Sequence, residues 1–146
     1  MDRRDLLVGV SAVATVAVAK TAFGASPQPH QHMHGKAKYE ALMDAASHCV
    51  STGELCLDHC HEVLATGDKS LGECAKSVNE LIAVCTALRS LSAQESKFLP
   101  KYAKLTMEVC KSCEAECRKV EKNHPVCKDC ADSCTACAKE CDRIPT

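Results

Sequence analysis

Beyond residue 36 the apolar residues recur at steps of three and four, the period of a helix that buries one stripe. Four such stretches follow one another. The first runs from about Ala37 to Ala65 and stops at Thr66-Gly67-Asp68, where Gly67 is placed to cap its carboxyl end. The second opens at Ser70-Leu71-Gly72-Glu73, a capping-box pattern, and continues to about Leu91. Ser92-Ala93-Gln94-Glu95 offers another such box before the third helix, whose start is blurred by Pro100. That helix ends near Asn123-His124, and Pro125 suits the first position of the fourth. Short connections between consecutive helices predict an all-α, antiparallel up-down-up-down four-helix bundle over residues 37–146.

Heptad spacing gives the inward stripe of each helix. In the first it is Tyr39, Leu42, Ala46, Cys49, Gly53, Cys56, Cys60 and Val63; in the second, Leu71, Cys74, Val78, Leu81, Cys85 and Leu88. The third contributes Leu99, Ala103, Thr106, Cys110, Cys113, Cys117 and Val120, and the fourth Cys127, Cys130, Cys134, Cys137 and Cys141. Every cysteine of the chain falls on a stripe. Apart from Val126 and Ile144 at its ends, the fourth helix has no large apolar residue, so cysteine and alanine are all it can bury.

Composition sharpens this picture. Thirteen cysteines in 146 residues far exceed globular usage, while aromatics are reduced to Phe23, Tyr39, Phe98 and Tyr102. A net charge of −1 with no basic face argues against a nucleic-acid partner. The sequence contains no Ser-His-Asp set, Gly-rich phosphate loop or carboxylate pair that would point to catalysis.

Residues 1–25 read as an export signal: Arg3-Arg4, an apolar stretch from Leu6 to Ala19, and the small-residue site Ala22-Phe23-Gly24. That stretch is shorter than the about 20 residues a membrane-spanning helix needs. The paired arginines and weak hydrophobicity suggest the twin-arginine route, with delivery to the periplasm or another extracytoplasmic compartment and no membrane association of the mature chain. Residues 26–36, with His30, His32, Met33 and His34 between two prolines and a glycine, form a tail that can either capture soft metal ions or simply stay solvated.

Three uses for the cysteines compete. As small core hydrophobes they would explain one or two positions, not thirteen on one seam. Disulfides suit an exported protein, and bridges between helices remain open. Within a helix, however, Cβ atoms at i, i+3 or i, i+4 stand about 5–6 Å apart, beyond the roughly 3.5–4.5 Å a disulfide wants, and an odd number leaves one thiol over. A metal between the sulfurs fits better. Bonds of about 2.3 Å place two sulfurs about 4.5 Å apart across one ion, within reach of Cys56/Cys60, Cys113/Cys117, Cys130/Cys134 and Cys137/Cys141.

Thiolates select copper(I), zinc or iron–sulfur clusters. Cys127-x-x-Cys130-x-x-x-Cys134-x-x-Cys137 lacks the order and the proline of a ferredoxin run. Zinc wants four ligands per ion, and no clear sets of four stand out. Copper(I) accepts two or three shared thiolates, and one ion per thiolate leaves a buried core electrically neutral. The expectation is many copper(I) ions per chain, about one per cysteine.

The export signal, Ser47-His48-Cys49, Cys56-Leu57-Asp58-His59-Cys60 and the Cys-x-x-Cys-x-x-x-Cys runs within 110–117 and 127–141 resemble those of the bacterial exported copper storage proteins across the whole mature region. The resemblance implies a cysteine-lined four-helix bundle loaded with copper(I), assembly into homotetramers, and a non-enzymatic copper reserve for copper-receiving enzymes. It also assigns the metal ligands: Cys49, Cys56, Cys60, Cys74, Cys85, Cys110, Cys113, Cys117, Cys127, Cys130, Cys134, Cys137 and Cys141, with His59 matching the family's histidine. The methionines that can accompany that histidine are absent here, Val63, Thr66 and Leu71 standing in the matching stretch.

Antiparallel topology gathers Cys56, Cys60, Cys74, Cys113, Cys117, Cys127 and Cys130 toward one end of the bundle, with His59 beside them as a first holder of incoming ions. Tyr39, Leu42, Leu88, Leu99 and Phe98 are expected to plug the other end. His48, His61 and His124 read as solvated or capping residues, Met43 and Met107 as packing in or beside the core, and Lys111, Glu114 and Glu116 as a solvated face. Two alternatives stand beside storage: a disulfide-stapled secreted interaction module, and a thiol redox enzyme, which would need one reactive Cys-x-x-Cys rather than a dozen equivalent thiols.

Overall fold

The computed structural model describes residues 37–145. The export signal at 1–25 and the His30–His34 cluster of the tail lie outside the described residues. Four helices fill the described chain, with no strand among them: α1 (Glu40–Ala65), α2 (Gly72–Ala93), α3 (Leu99–Val120) and α4 (Pro125–Asp142). Each packs against two neighbours in the cyclic order α1–α2–α3–α4, while the diagonal pairs α1/α3 and α2/α4 keep their backbones apart. The bundle axis is therefore left to side chains.

The buried stripes follow the predicted period, with Tyr39, Val63 and Val120 at the helix ends only half-buried. Leu42, Ala46, Cys49, Gly53, Cys56 and Cys60 face inward on α1, and Leu99, Ala103, Thr106, Cys110, Cys113 and Cys117 on α3. On α2, Leu71, Cys74, Val78, Leu81, Cys85 and Leu88 are all buried. α4 buries its five cysteines with only Ala131, Ser133 and Ala138 for company. Val126 and Ile144 pack against the core from either end of α4, and Met107 packs beside it. Gly53 permits a close approach of α1 to α2, because a Cβ there would stand 3.0 Å from Ile82 Cγ1.

The connections explain where the helices stop. α1 ends with the Gly67 N–H donating to the Leu64 carbonyl at 3.0 Å, Gly67 itself lying at φ 92°, which only glycine adopts without strain. Asp68 Oδ1 then accepts the Ser70 N–H at 2.8 Å. Neither capping box expected from the sequence forms. α2 starts at Gly72 after Leu71 without a side-chain cap, because Leu71 is drawn into the core. Ser92 lies inside α2, its buried hydroxyl donating to the Leu88 carbonyl. Glu95 closes that helix rather than opening the next. The Ser96 N–H donates to the Leu91 carbonyl and the Glu95 N–H to the Ser92 carbonyl, a Schellman stop with Glu95 at φ 47°. Pro100 falls in the first turn of α3, where its missing N–H is harmless.

The two left-handed positions yield opposite expectations. A side chain there costs roughly 1–2 kcal/mol against glycine. Gly67→Ala should lower, and Glu95→Gly raise, the unfolding free energy of the metal-free protein by about 1 kcal/mol each. The Lys38–Glu95 ion pair, exposed and 3.8 Å long, offers Glu95 little compensation. Urea unfolding followed by far-UV circular dichroism measures both, and a destabilised Glu95→Gly protein would contradict the assigned stop.

Candidate metal centre

All thirteen cysteines are buried and unbridged. Because consecutive helices run in opposite directions, their sulfurs form layers along the axis. One layer takes a thiol from every helix: Cys49, Cys85, Cys110 and Cys137. A second joins Cys56 and Cys60 of α1 to Cys74 of α2 and Cys127 of α4. Between them lie two triads, Cys56–Cys117–Cys130 and Cys113–Cys130–Cys134, and within every set all sulfurs are within 4.8 Å of one another. Cys56 and Cys130 each serve two sets. Cys134 also interacts with Cys49, and Cys141 with Cys137, so the layers join into one continuous column.

The shortest sulfur contacts run between helices. Cys56–Cys127 and Cys74–Cys117 stand at 3.6 Å, and Cys74–Cys127, across the bundle diagonal, at 3.9 Å. Within α3, Cys113 and Cys117 are 4.0 Å apart. These separations suit two sulfurs on one soft ion, which sit about 4.5 Å apart when the angle at the ion is wide. The sets of four that the sequence did not reveal do exist in space. They overlap through the triads, a pattern of shared sulfurs rather than of isolated tetrahedral sites.

The thiols govern one another's protons. Cys74 is held down to about 4, first by the Cys117 thiol, and Cys137 to about 5, first by Cys110. Cys49 and Cys130 are also lowered, led by Cys110 and Cys113 respectively. Their neighbours move the other way: Cys110 is raised first by Cys137, Cys134 by Cys113, and Cys56 by Cys117. A thiolate in such a layer is stabilised by the S–H groups around it, and its charge resists further ionisation nearby. Only added positive charge lets the whole column become thiolate.

Both ends of the column are covered. At the thiol-rich end Cys60 and Cys127 have no exposed surface, and Leu71, just before α2, is fully buried as well. Over this end His59 Nε2 meets His124 Nδ1 at 2.9 Å, the two rings half-buried with centroids 5.1 Å apart. His124 therefore does more than the sequence suggested. It makes no side-chain cap for α4, and its extended backbone, imposed by Pro125, leaves the imidazole to partner His59. Its place just before that proline, at the end shared with His59, was the available signal. His48 and His61 are exposed.

At the opposite end Leu42, Leu88 and Leu99 are buried and Tyr39 is half-buried, as expected of a plug. Phe98 is not part of it: 60% exposed, it precedes α3 on the outside of the bundle. Glu114 is also less solvated than the sequence suggested. It bonds Arg118 and the Thr135 hydroxyl, and Arg118 reaches Asp132 at 2.8 Å, tying α3 to α4.

A family profile described as copper storage protein matches residues 35–146. The chain belongs to the copper storage protein family. That family is one of storage rather than catalysis. A solved structure of a copper(I)-bound copper storage protein, BsCsp3, superposes with a TM-score of 0.66 at 26% identity, covering 75% of this chain and all of that one. An uncharacterised cysteine-rich protein of Bacillus subtilis strain 168, YhjQ, is 26% identical over 102 residues, which are 70% of this chain and 91% of its own.

Free buried thiols make a chemical forecast. Under denaturing conditions without reductant a thiol assay should find close to all thirteen cysteines, and added reductant should leave the helical signal unchanged. A count near one, with helicity lost on reduction, would show a disulfide-stapled bundle instead.

Proposed function

We propose that this protein stores copper(I), taking up about one ion per cysteine thiolate along the whole column, from Cys60, Cys74 and Cys127 at one end to Cys141 at the other. The observation that carries this reading is the sharing of sulfurs. Cys56 and Cys130 each belong to two sets, so thiolates can bridge ions and every ion can gain two sulfurs. Bridged this way, thirteen thiolates and about as many copper(I) ions leave no net charge in the core, whose desolvation would otherwise forbid so many anions. Copper(I) bound to BsCsp3, a relative of the same fold, supports the choice of metal.

Export through the twin-arginine route is the reading of residues 1–25, and residues 26–36 then form a tail ahead of the bundle at 37–146. A reserve outside the cytoplasm would serve copper enzymes matured there, and assembly into a homotetramer follows from the family resemblance. Among the described residues no helix is long and apolar enough to cross a membrane. His59 is the proposed first holder of the cargo, and His124 shares the work. Two facing imidazole nitrogens 2.9 Å apart need only separate slightly to hold one copper(I) between them, replacing their hydrogen bond. The ion then exchanges onto Cys60 or Cys127 beneath, and an imidazole accepts the displaced thiol proton.

Titration of reduced protein with copper(I) against a competing chelator should give saturation at roughly ten or more ions per chain. Saturation at about three would favour four-cysteine zinc-type sites and sink the storage reading. His59→Ala and His124→Ala should each change the rate of loading and of chelator-driven removal, with capacity falling by no more than about one ion. If both leave the rates untouched while Leu42→Ala at the apolar end accelerates transfer, ions pass through the other end.

A further inference from the structure

The described surface exposes three large hydrophobic side chains, and two of them, Phe98 (60% exposed) and Leu105 (48%), lie on one stretch of chain. They are seven residues apart, two helical turns, and so share one face of α3. Lys101 lies between them on that face, with Lys97 and Lys104 along its edge. All three lysines are exposed, and they ring a shallow cavity of about 270 Å³ with Pro100. The Lys97 ammonium sits 5.1 Å from the Phe98 ring centre. From Ser96 to Met107 the chain carries no Asp or Glu. Along the chain the nearest acids are Glu95, engaged by Lys38, and Glu108 one turn beyond Leu105. In a chain of net charge −1 this concentrates positive charge where the apolar surface is also left uncovered.

We propose that this patch is a peripheral docking surface for an anionic phospholipid membrane. The composition is that of an interfacial anchor: an aromatic and a leucine to enter the headgroup boundary, and flanking lysines to meet lipid phosphates. The shape argues against a peptide ligand. The apolar pair stands on the outer face of a helix at one end of the bundle rather than in a groove, and the cavity beside it is lined by lysine stems and Pro100 alone. The patch lies at the α2–α3 end, so a docked bundle holds the His59–His124 end away from the bilayer. This attachment is compatible with the absence of a spanning helix among the described residues, and it revises the expectation that the mature chain ignores membranes. It does not depend on the identity of the stored metal.

Three lysines, each worth about fivefold near an anionic surface, should together give on the order of a hundredfold preference for that surface. The test is co-sedimentation of the full chain with phosphatidylglycerol-containing vesicles and with pure phosphatidylcholine vesicles, at low and high salt. Any contribution of residues 1–25 is common to all variants. The Lys97→Gln/Lys101→Gln/Lys104→Gln protein should lose on the order of a hundredfold in binding to the anionic vesicles, together with its salt dependence. Phe98→Ser should lose several-fold on both vesicle types, and the matching Lys→Arg triple variant should bind like the parent. Unchanged helicity and thiol count in each variant exclude misfolding. Equal binding by the parent and the glutamine triple variant would overturn the proposal. So would a glutamine variant whose only change is its oligomeric state by sedimentation, since the patch would then join copies of this chain.

Discussion

A sulfur-lined interior can hold its thiols as neutral groups or as thiolates matched one for one by cations, and the rest of this molecule is arranged around that constraint. Burying even one unpaired anion costs several kcal/mol. α4 shows how far the chain has gone toward the second solution. Its inward face offers five thiols, two alanine methyls and a serine, too little apolar surface to hold a helix of 18 residues by conventional packing. Leu71 before α2, Val78, Leu81 and Leu88 of α2 and Leu99 of α3 supply the bulk that α4 lacks. They hold the metal-free bundle together while the thiols wait as small, weakly polar hydrophobes. Cargo that binds only the folded arrangement then adds to stability by mass action.

The backbone arrangement serves the same constraint. With the diagonal helices kept apart, sulfurs from all four helices meet on the axis, and contacts such as Cys74–Cys127 cross it directly. Cysteine is small enough for side chains of all four helices to meet on the axis, where leucines at the same heptad positions would crowd one another. The thiols' mutual control of their protons follows from this crowding: Cys49, which is lowered, lies among raised groups such as Cys110 and Cys134. Each proton that leaves makes the next harder to remove unless a cation replaces it. A column of this kind accepts a soft monovalent ion at every step without accumulating charge.

The period of three and four made the stripes legible because a helix that buries one face has no other way to place its apolar residues. Every cysteine was found where that period put it. The helix ends were less legible because one set of letters serves two geometries. Ser92-x-x-Glu95 reads as a capping box, yet Ser92 is held inside α2 by burial and Glu95 is left to occupy a left-handed stop. The sets of four sulfurs were invisible for a different reason. They are assembled from three or four helices, and linear spacing reports neighbours within one helix only. The same holds for His124, whose partner is 65 residues away, and for Phe98, whose exposure depends on how α3 begins.

The two ends of the bundle differ in what a passing ion would have to displace, and that difference argues for the direction of traffic. At the Leu42–Leu88–Leu99 end it would meet a buried apolar layer with no imidazole pair over it. At the other end Leu71 is also buried, but two half-buried imidazoles stand there with nitrogens in contact. On the proposed route an ion would exchange water for nitrogen and then nitrogen for sulfur without losing its donors, and the hydrogen bond between the imidazoles would have to part first. Such a barrier would act on the rate of exchange and leave capacity to the thirteen thiols. A chain docked through Phe98 and the α3 lysines would present that ligand-bearing end to the aqueous phase.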